Sequence, residues 1–269
     1  MGMVILAFTK DGIALKLVNP VGYKMGSDGG LSMGESSVTK YEALIAIMDY
    51  DSRDVLIKLL QKCNTPVFLF THGYGTAESV IYEILGYGGP KKAISLSLQT
   101  EKMSQYILNQ LQQEIDFSKP GTGIACTISL SSISSALSMT IMRAMENLEM
   151  GSDEVTASPK EAYHLIVTIV NSGYFEQVME AAKAAGATGG TFLHAHGFGS
   201  KEAIKYLGIT IQPEKDLVLI LAPQEKRRAI MESITHKVGL NTEGMGICFS
   251  LPVNHAIGLE AVLENIDEP

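Results

Sequence analysis

His194 and His196 stand two residues apart in the run Thr191-Phe-Leu-His-Ala-His196, which has the composition of a β-strand. Side chains two apart on a strand share a face, so the pair could hold a metal ion between them. The other reading is one histidine hydrogen-bonded within the sheet and one at the mouth of a cleft, and no metal is assigned. The segment that follows, His196-Gly197-Phe198-Gly199-Ser200-Lys201, and a second one, Glu243-Gly244-Met245-Gly246, are glycine loops. Glycine lets backbone N–H groups approach an anion with no side chain between them, so both loops could cradle a ligand. The same glycines could equally make the tight turns that end strands. The candidate effector-binding set is His194, His196, Gly197, Gly199, Lys201, Gly244 and Gly246.

Catalytic chemistry has no comparable signal. The chain contains no GxSxG, HExxH, lysine-bearing phosphate loop or paired carboxylates, so no catalytic residue is assigned and an enzyme is not expected. Cys63, Cys126 and Cys248 lack CxxC or Cys/His spacing and read as reduced intracellular thiols. Cys248 lies between Ile247 and Phe249 on an apolar strand, where a buried inert thiol is expected rather than a nucleophile. Lys226-Arg227-Arg228 reads as the solvated face of a helix.

The elements that position these residues emerge from an internal repeat. Thr71-His-Gly-Tyr-Gly-Thr76 reappears as Ala195-His-Gly-Phe-Gly-Ser200, each followed by a Leu-Gly pair and later by Gly-x-Gly-Ile at Gly121 and Gly244. From His72 to Gly121 is 49 positions and from His196 to Gly244 is 48. In the second copy, strands are expected over 164–170, 191–196, 217–222 and 247–253, with helices over 175–185 and 224–238. Asn171-Ser172-Gly173 supplies cap-forming residues, and Gly186 ends the first helix. The first copy repeats the order with strands at 44–49, 67–71, 93–98 and 124–130 and helices at 55–63 and 102–115. The order βαββαβ defines the fold class as α+β, two tandem ferredoxin-like domains with antiparallel sheets.

Residues 1–40 form an N-terminal appendage, with a hairpin turning at Lys10-Asp11-Gly12 and then a Gly/Ser-rich segment. The diverged copy spans 41–150, the linker 151–160 and the second copy 161–269. Met3 to Phe8 is apolar for only six residues before Lys10 and Asp11, so no signal peptide is expected. The charge-free stretch from Pro120 to Met142 is rich in Ser and Thr and reads as a strand followed by a helix, not a membrane span. With a formal charge of −8, the chain is not expected to bind nucleic acid.

The second copy, from Tyr163 to Leu259, resembles the PII family of signal-transduction proteins in its short PII-like branch. The resemblance rests on Ile169-Val-Asn-Ser-Gly173, Gly186-Ala-Thr-Gly-Gly-Thr191, Leu193-His-Ala-His-Gly197, Gly208 to Lys215 and Gly239 to Ile247. It implies a ferredoxin-like subunit that assembles into trimers and binds a small effector, such as ATP or ADP, in clefts between subunits. Such proteins act in nitrogen regulation and dock onto a protein target such as a transporter or an enzyme. Two departures stand out. Where the family has a lysine after the second loop this chain has Ile247, and where it has two arginines after the last strand the chain aligns Gly258 and Glu260. A polyphosphate would lose its charge-assisted hydrogen bonds there, which favours a smaller or less charged effector.

The expected protein is a cytoplasmic, homo-oligomeric, non-enzymatic PII-like regulator without membrane insertion. It senses a small-molecule effector and signals to a protein partner. The alternatives are a metal-binding module of the related CutA-type architecture, using His194 and His196, and an assembly scaffold whose ligand sites have degenerated.

Overall fold

The computed structural model describes residues 39–76, 89–119, 121–146, 162–197 and 214–259, together with the backbone of 3–9 and 12–18. The short strands β1 (Met3–Thr9) and β2 (Gly12–Val18) pair antiparallel, with Thr9 opposite Gly12. The first half then runs β3 (Tyr41–Asp49), α1 (Arg53–Lys62), β4 (Val67–Gly75), β5 (Lys91–Thr100), α2 (Glu101–Glu114), β6 (Gly123–Leu130) and α3 (Ser135–Glu146). The second half runs β7 (Tyr163–Asn171), α4 (Phe175–Ala184), β8 (Thr191–His196), β9 (Glu214–Pro223), α5 (Gln224–Val238) and β10 (Ile247–Val253), and a two-residue strand β11 (Ala256–Ile257) follows.

Nine of these strands form one antiparallel sheet in the order β10-β7-β9-β8-β4-β5-β3-β6-β11. Each half contributes four strands in the ferredoxin-like order, the last strand beside the first and the first beside the third. The halves meet edge to edge through β4 and β8, where Tyr74 stands opposite Phe192 and Gly75 opposite Thr191.

Alternation along the central strands explains the layering. On β3, Leu44, Ala46 and Met48 face α1 and α2, where they pack with Leu56, Leu59, Leu60, Met103, Ile107, Leu108 and Leu111. The helix residues recur at helical spacing and bury one apolar stripe per helix. The second half repeats this, with Ile166, Val170, Val218 and Ile220 against Val178, Ala182, Ile230, Ile234 and Val238. The opposite face is apolar too. Ile47, Ile94 and Ile128 of the first half cluster with Leu165, Val167, Leu193 and Leu219 of the second, so the sheet curls and buries its inner faces against each other. Strands buried on both faces read as near-continuous apolar runs, which is how β3, β7 and β9 are written.

The curl is fastened by the chain leaving β10. Asn254 N–H donates to Thr127 O and Thr127 N–H to His255 O, both at 2.9 Å, before β11 pairs with β6. The C-terminal end of the second half therefore adds a strand to the far edge of the first.

Two details differ from the sequence reading. Asn171, Ser172 and Gly173 do not cap α4, whose N-cap is Tyr174 with no side-chain hydrogen bond; they turn instead toward β9 and the Glu243 loop. Strand β4 runs past Thr71 to Gly75, because β5 pairs with it as far as Tyr74 and β8 pairs with it at Tyr74 and Gly75. The glycines make that approach possible: a Cβ on Gly73 would lie 2.4 Å from Phe192 O. The linker at 151–160 and both Leu-Gly pairs lie outside the described residues.

Candidate functional site

In the second half, β7 and β8 end and β9 and β10 begin at the same end of the sheet, and most of the candidate set lies along that rim. His194 is opposite Asp216 and His196 opposite Glu214 in the β8–β9 register. His194 Nδ1 is 2.9 Å from Asp216 Oδ1, and His196 Nδ1 is 3.7 Å from Glu214 Oε1. The imidazole of His194 is 67 % exposed whereas the Asp216 carboxylate is 1 % exposed, so a buried anion anchors a surface histidine. Asp216 also accepts from Gly173 N–H at 2.8 Å and from Ser172 Oγ at 3.4 Å. These contacts satisfy a carboxylate that would otherwise be costly to bury.

Gly244 and Gly246 stand on the same rim, three strand spacings or about 14 Å from β8. Asn171 connects the two ends: its N–H donates to Gly244 O at 2.9 Å, its Nδ2 to Glu243 O at 2.8 Å, and its Oδ1 accepts from Lys215 Nζ at 2.5 Å. Burial lowers the pKa of Lys215 from its usual range. Gly246 also has a packing role, since its N–H donates to Val238 O and a Cβ there would lie 2.5 Å from that oxygen. Ile247, at the family's lysine position, is 47 % exposed. Gly197 follows directly on β8, while Gly199, Lys201 and Glu260 lie outside the described residues. Among the described residues, no group of three metal-ligating side chains includes His194 or His196.

The structure also shows a site that the sequence reading missed. A cavity of about 620 Å³ lies at the junction of the two halves. One wall is the turn Gly186-Ala187-Thr188-Gly189-Gly190 between α4 and β8; another is Gly121 and Gly123 at the start of β6; Ile47, Ile124, Leu219 and Leu221 form an apolar floor. Gly186 has φ +94° and Gly121 φ +81°, backbone that favours glycine. The junction is braced beside the cavity by Thr76, whose N–H and hydroxyl both donate to Gly190 O, while Gly190 N–H donates back to Thr76 Oγ1 at 2.9 Å.

Three lysines line this cavity. Lys92 is buried, donates from Nζ to Gly121 O and lies 3.8 Å from Asp49 Oδ1. Burial lowers its pKa, and the nearby Asp49 carboxylate opposes that shift. Lys119 pairs with Asp116 at 3.4 Å, and Lys226 runs beside Gly186 with no carboxylate within 4 Å among the described residues. Lys92 carried a faint sequence signal, a charged residue two before Ile94 on an inward-facing strand position. The Gly186–Thr191 run was legible only as a motif, because what lies across from it comes from the other half of the chain.

The cysteines are unsuited to nucleophilic chemistry. Burial pushes the thiol of Cys63 up to about 11 and that of Cys126 up to about 12, and it raises Cys248 as well.

The second half is thus a ferredoxin-like unit with a cavity of ligand size against the first half. Residues 163–261 match the sequence model of the nitrogen regulatory protein P-II family, and this part of the chain is PII-like. Among solved structures, the chain is similar to Arabidopsis thaliana PII bound to citrate, at 21 % identity over 36 % of this chain and 79 % of that one, with a TM-score of 0.28. It is also similar to a mutant chlorite dismutase from Candidatus Nitrospira defluvii, at 11 % identity over 85 % and 96 % of the two chains and a TM-score of 0.22. An anthrone oxidase-like protein matches at 10 % identity over 81 % and 92 %, with a TM-score of 0.19. No curated protein matches the chain. Among the described residues, no helix is long and apolar enough to cross a membrane.

Proposed function

We propose that this PII-like protein is a regulator that takes a small anionic effector into the cavity between its halves and signals its occupancy to a protein partner. The observation that carries the reading is the meeting of Lys92, Lys119 and Lys226 over a glycine-rich wall contributed by the PII-like half. Ammonium groups and open backbone suit carboxylate or phosphate, and the apolar floor suits a carbon skeleton or a base. AMP, ADP and ATP belong to this class, as do small carboxylates. The rim at His194, His196, Gly197, Gly244 and Gly246 is a second candidate effector site, supported by its connection to the P-II motifs. There Ile247 stands where the family has a lysine, which argues against polyphosphates at that place.

In this reading the protein acts in the cytoplasm as a homo-oligomer and catalyses no reaction. Thermal unfolding with each anion, on the wild type and on Lys226→Ala, tests the cavity. An effector at about 100 times its Kd stabilises by about 2.7 kcal/mol, which is roughly 5–10 °C for a chain of this size. The expected result is a shift of that order with one anion, largely lost in K226A. A shift retained in both K226A and K119A but lost in Lys215→Ala moves the site to the rim. No shift with any anion overturns the effector reading.

A further inference from the structure

Away from the cavity, on the helix-covered side of the first half, a polar cluster lies beneath the start of α2. Glu42 on β3 is 1 % exposed, yet its Oε2 is buried without a hydrogen-bond partner. Its Oε1 accepts from Asn254 Nδ2 at 2.7 Å. A carboxylate oxygen of Glu42, one of Glu101 and a ring nitrogen of His255 all lie within 4.8 Å of one another. Directly opposite Glu42 in the β3–β5 register stands Gln99, 1 % exposed, whose Oε1 is likewise buried without a partner. Leaving such oxygens unsatisfied is expensive, and for a carboxylate the expense is greatest.

We propose that Glu42, Glu101 and His255 form a site for a first-row divalent cation, and that this cation fastens the C-terminal segment of the PII-like half onto the first half. One imidazole and two carboxylates suit zinc, with a fourth position for Gln99 or water. Zinc at about 2.0–2.2 Å from each ligand needs donors about 3.3 Å apart. Glu42 and His255 are held in place: the first by Asn254, the second by its backbone bond to Thr127 and by the Gln105 amide, 3.4 Å from Nε2. Glu101 supplies the adjustment, since its side chain is 34 % exposed and, among the described residues, pairs with the exposed Lys40 ammonium at 3.6 Å, which a divalent cation displaces. The ligands come from β3, α2 and the strand-crossing segment, so metal binding acts on the fastening of the curled sheet. It is independent of the effector cavity.

The test uses the full chain stripped of metal, titrated with Zn²⁺ by calorimetry and with Co²⁺ by its visible absorption. The variants are Glu101→Gln, His255→Gln and the double change His194→Gln/His196→Gln. The expected result is one Zn²⁺ per chain, at least about tenfold weaker binding in E101Q and in H255Q, and unchanged binding in the rim double variant. Zinc should also slow hydrogen exchange at the Thr127 and Asn254 amides in the wild type, and not in E101Q. E101Q alters a partly exposed side chain, so it keeps the test valid if H255Q fails to fold. Absence of saturable zinc binding, equal affinity in E101Q and wild type, or loss of binding in the rim variant instead would each overturn the proposal.

Discussion

Replacing Gly73 by alanine should loosen the junction between the halves although the residue touches no ligand. The added Cβ would lie 2.4 Å from Phe192 O and 2.9 Å from Ile94 Cδ1. The isoleucine methyl can turn away. The carbonyl cannot, because Phe192 is fixed in the β8–β9 ladder opposite Val218. Strand β4 must therefore retreat from β8. Overpacking of this kind costs about 1–3 kcal/mol. Retreat also strains the reciprocal bonds between Thr76 and Gly190, at 2.9–3.0 Å, each contributing about 1 kcal/mol. The total is about 3–5 kcal/mol, which for a chain of this size lowers Tm by about 10 °C. Differential scanning calorimetry and urea unfolding would measure it, with Gly189→Ala as the control, since a Cβ on Gly189 meets nothing within 4 Å. Because Gly75, Thr76 and Gly190 line the cavity, Gly73→Ala should also weaken any anion that binds there. If Gly73→Ala stayed within about 0.5 kcal/mol of the wild type, the reasoning that the repeated glycine serves strand approach would be refuted.

The remaining predictions concern charge and thiols. Lys92 has a pKa depressed by burial, so its charged form is disfavoured in the folded state; stability should rise as pH climbs from that depressed value toward about 10.5, and pH-dependent urea unfolding of the wild type against Lys92→Met would reveal the difference. Anion binding in the cavity should weaken over the same alkaline window, earlier than an ordinary lysine would allow, and binding that stays constant to pH 10.5 would count against a role for Lys92. Asp216→Ala leaves Gly173 N–H and the ring of His194 without their acceptor and should cost about 2–4 kcal/mol by chemical denaturation. Cys63 and Cys126 should resist thiol reagents at pH 8 in the native chain and react on unfolding; rapid labelling of the native state would contradict their burial.

Much of the fold was legible in the residues themselves. Apolar runs such as 191–196 and 247–253 and the helix at 224–238 coincide with the observed elements, because alternation and helical periodicity are local properties of the chain. Gly186, with φ +94°, ends α4 as its position suggested. The P-II motifs of the second half were equally readable, since each is a contiguous string. The roles of the repeated glycines were not. Gly121 and Gly244 occupy corresponding motifs, yet a Cβ on Gly121 would meet nothing within 4 Å whereas one on Gly244 would lie against Val238 and the Tyr174 ring, contacts that the motif alone does not specify.

The same distinction separates the candidate sites. Local spacing put His194 and His196 on one face of a strand, and each proved to be paired with its own carboxylate on β9, a register that only the folded sheet specifies. Lys92, Lys119 and Lys226 are ordinary surface-type residues in the linear chain, and Glu42 and His255 are 213 positions apart. They are brought together because the sheet curls and the segment after β10 crosses to β6. Sequence periodicity determines which residues are buried in each half. Which polar groups are then trapped together at the junction depends on long-range strand pairing, where hydrogen-bond geometry and close backbone approach decide what no local pattern encodes.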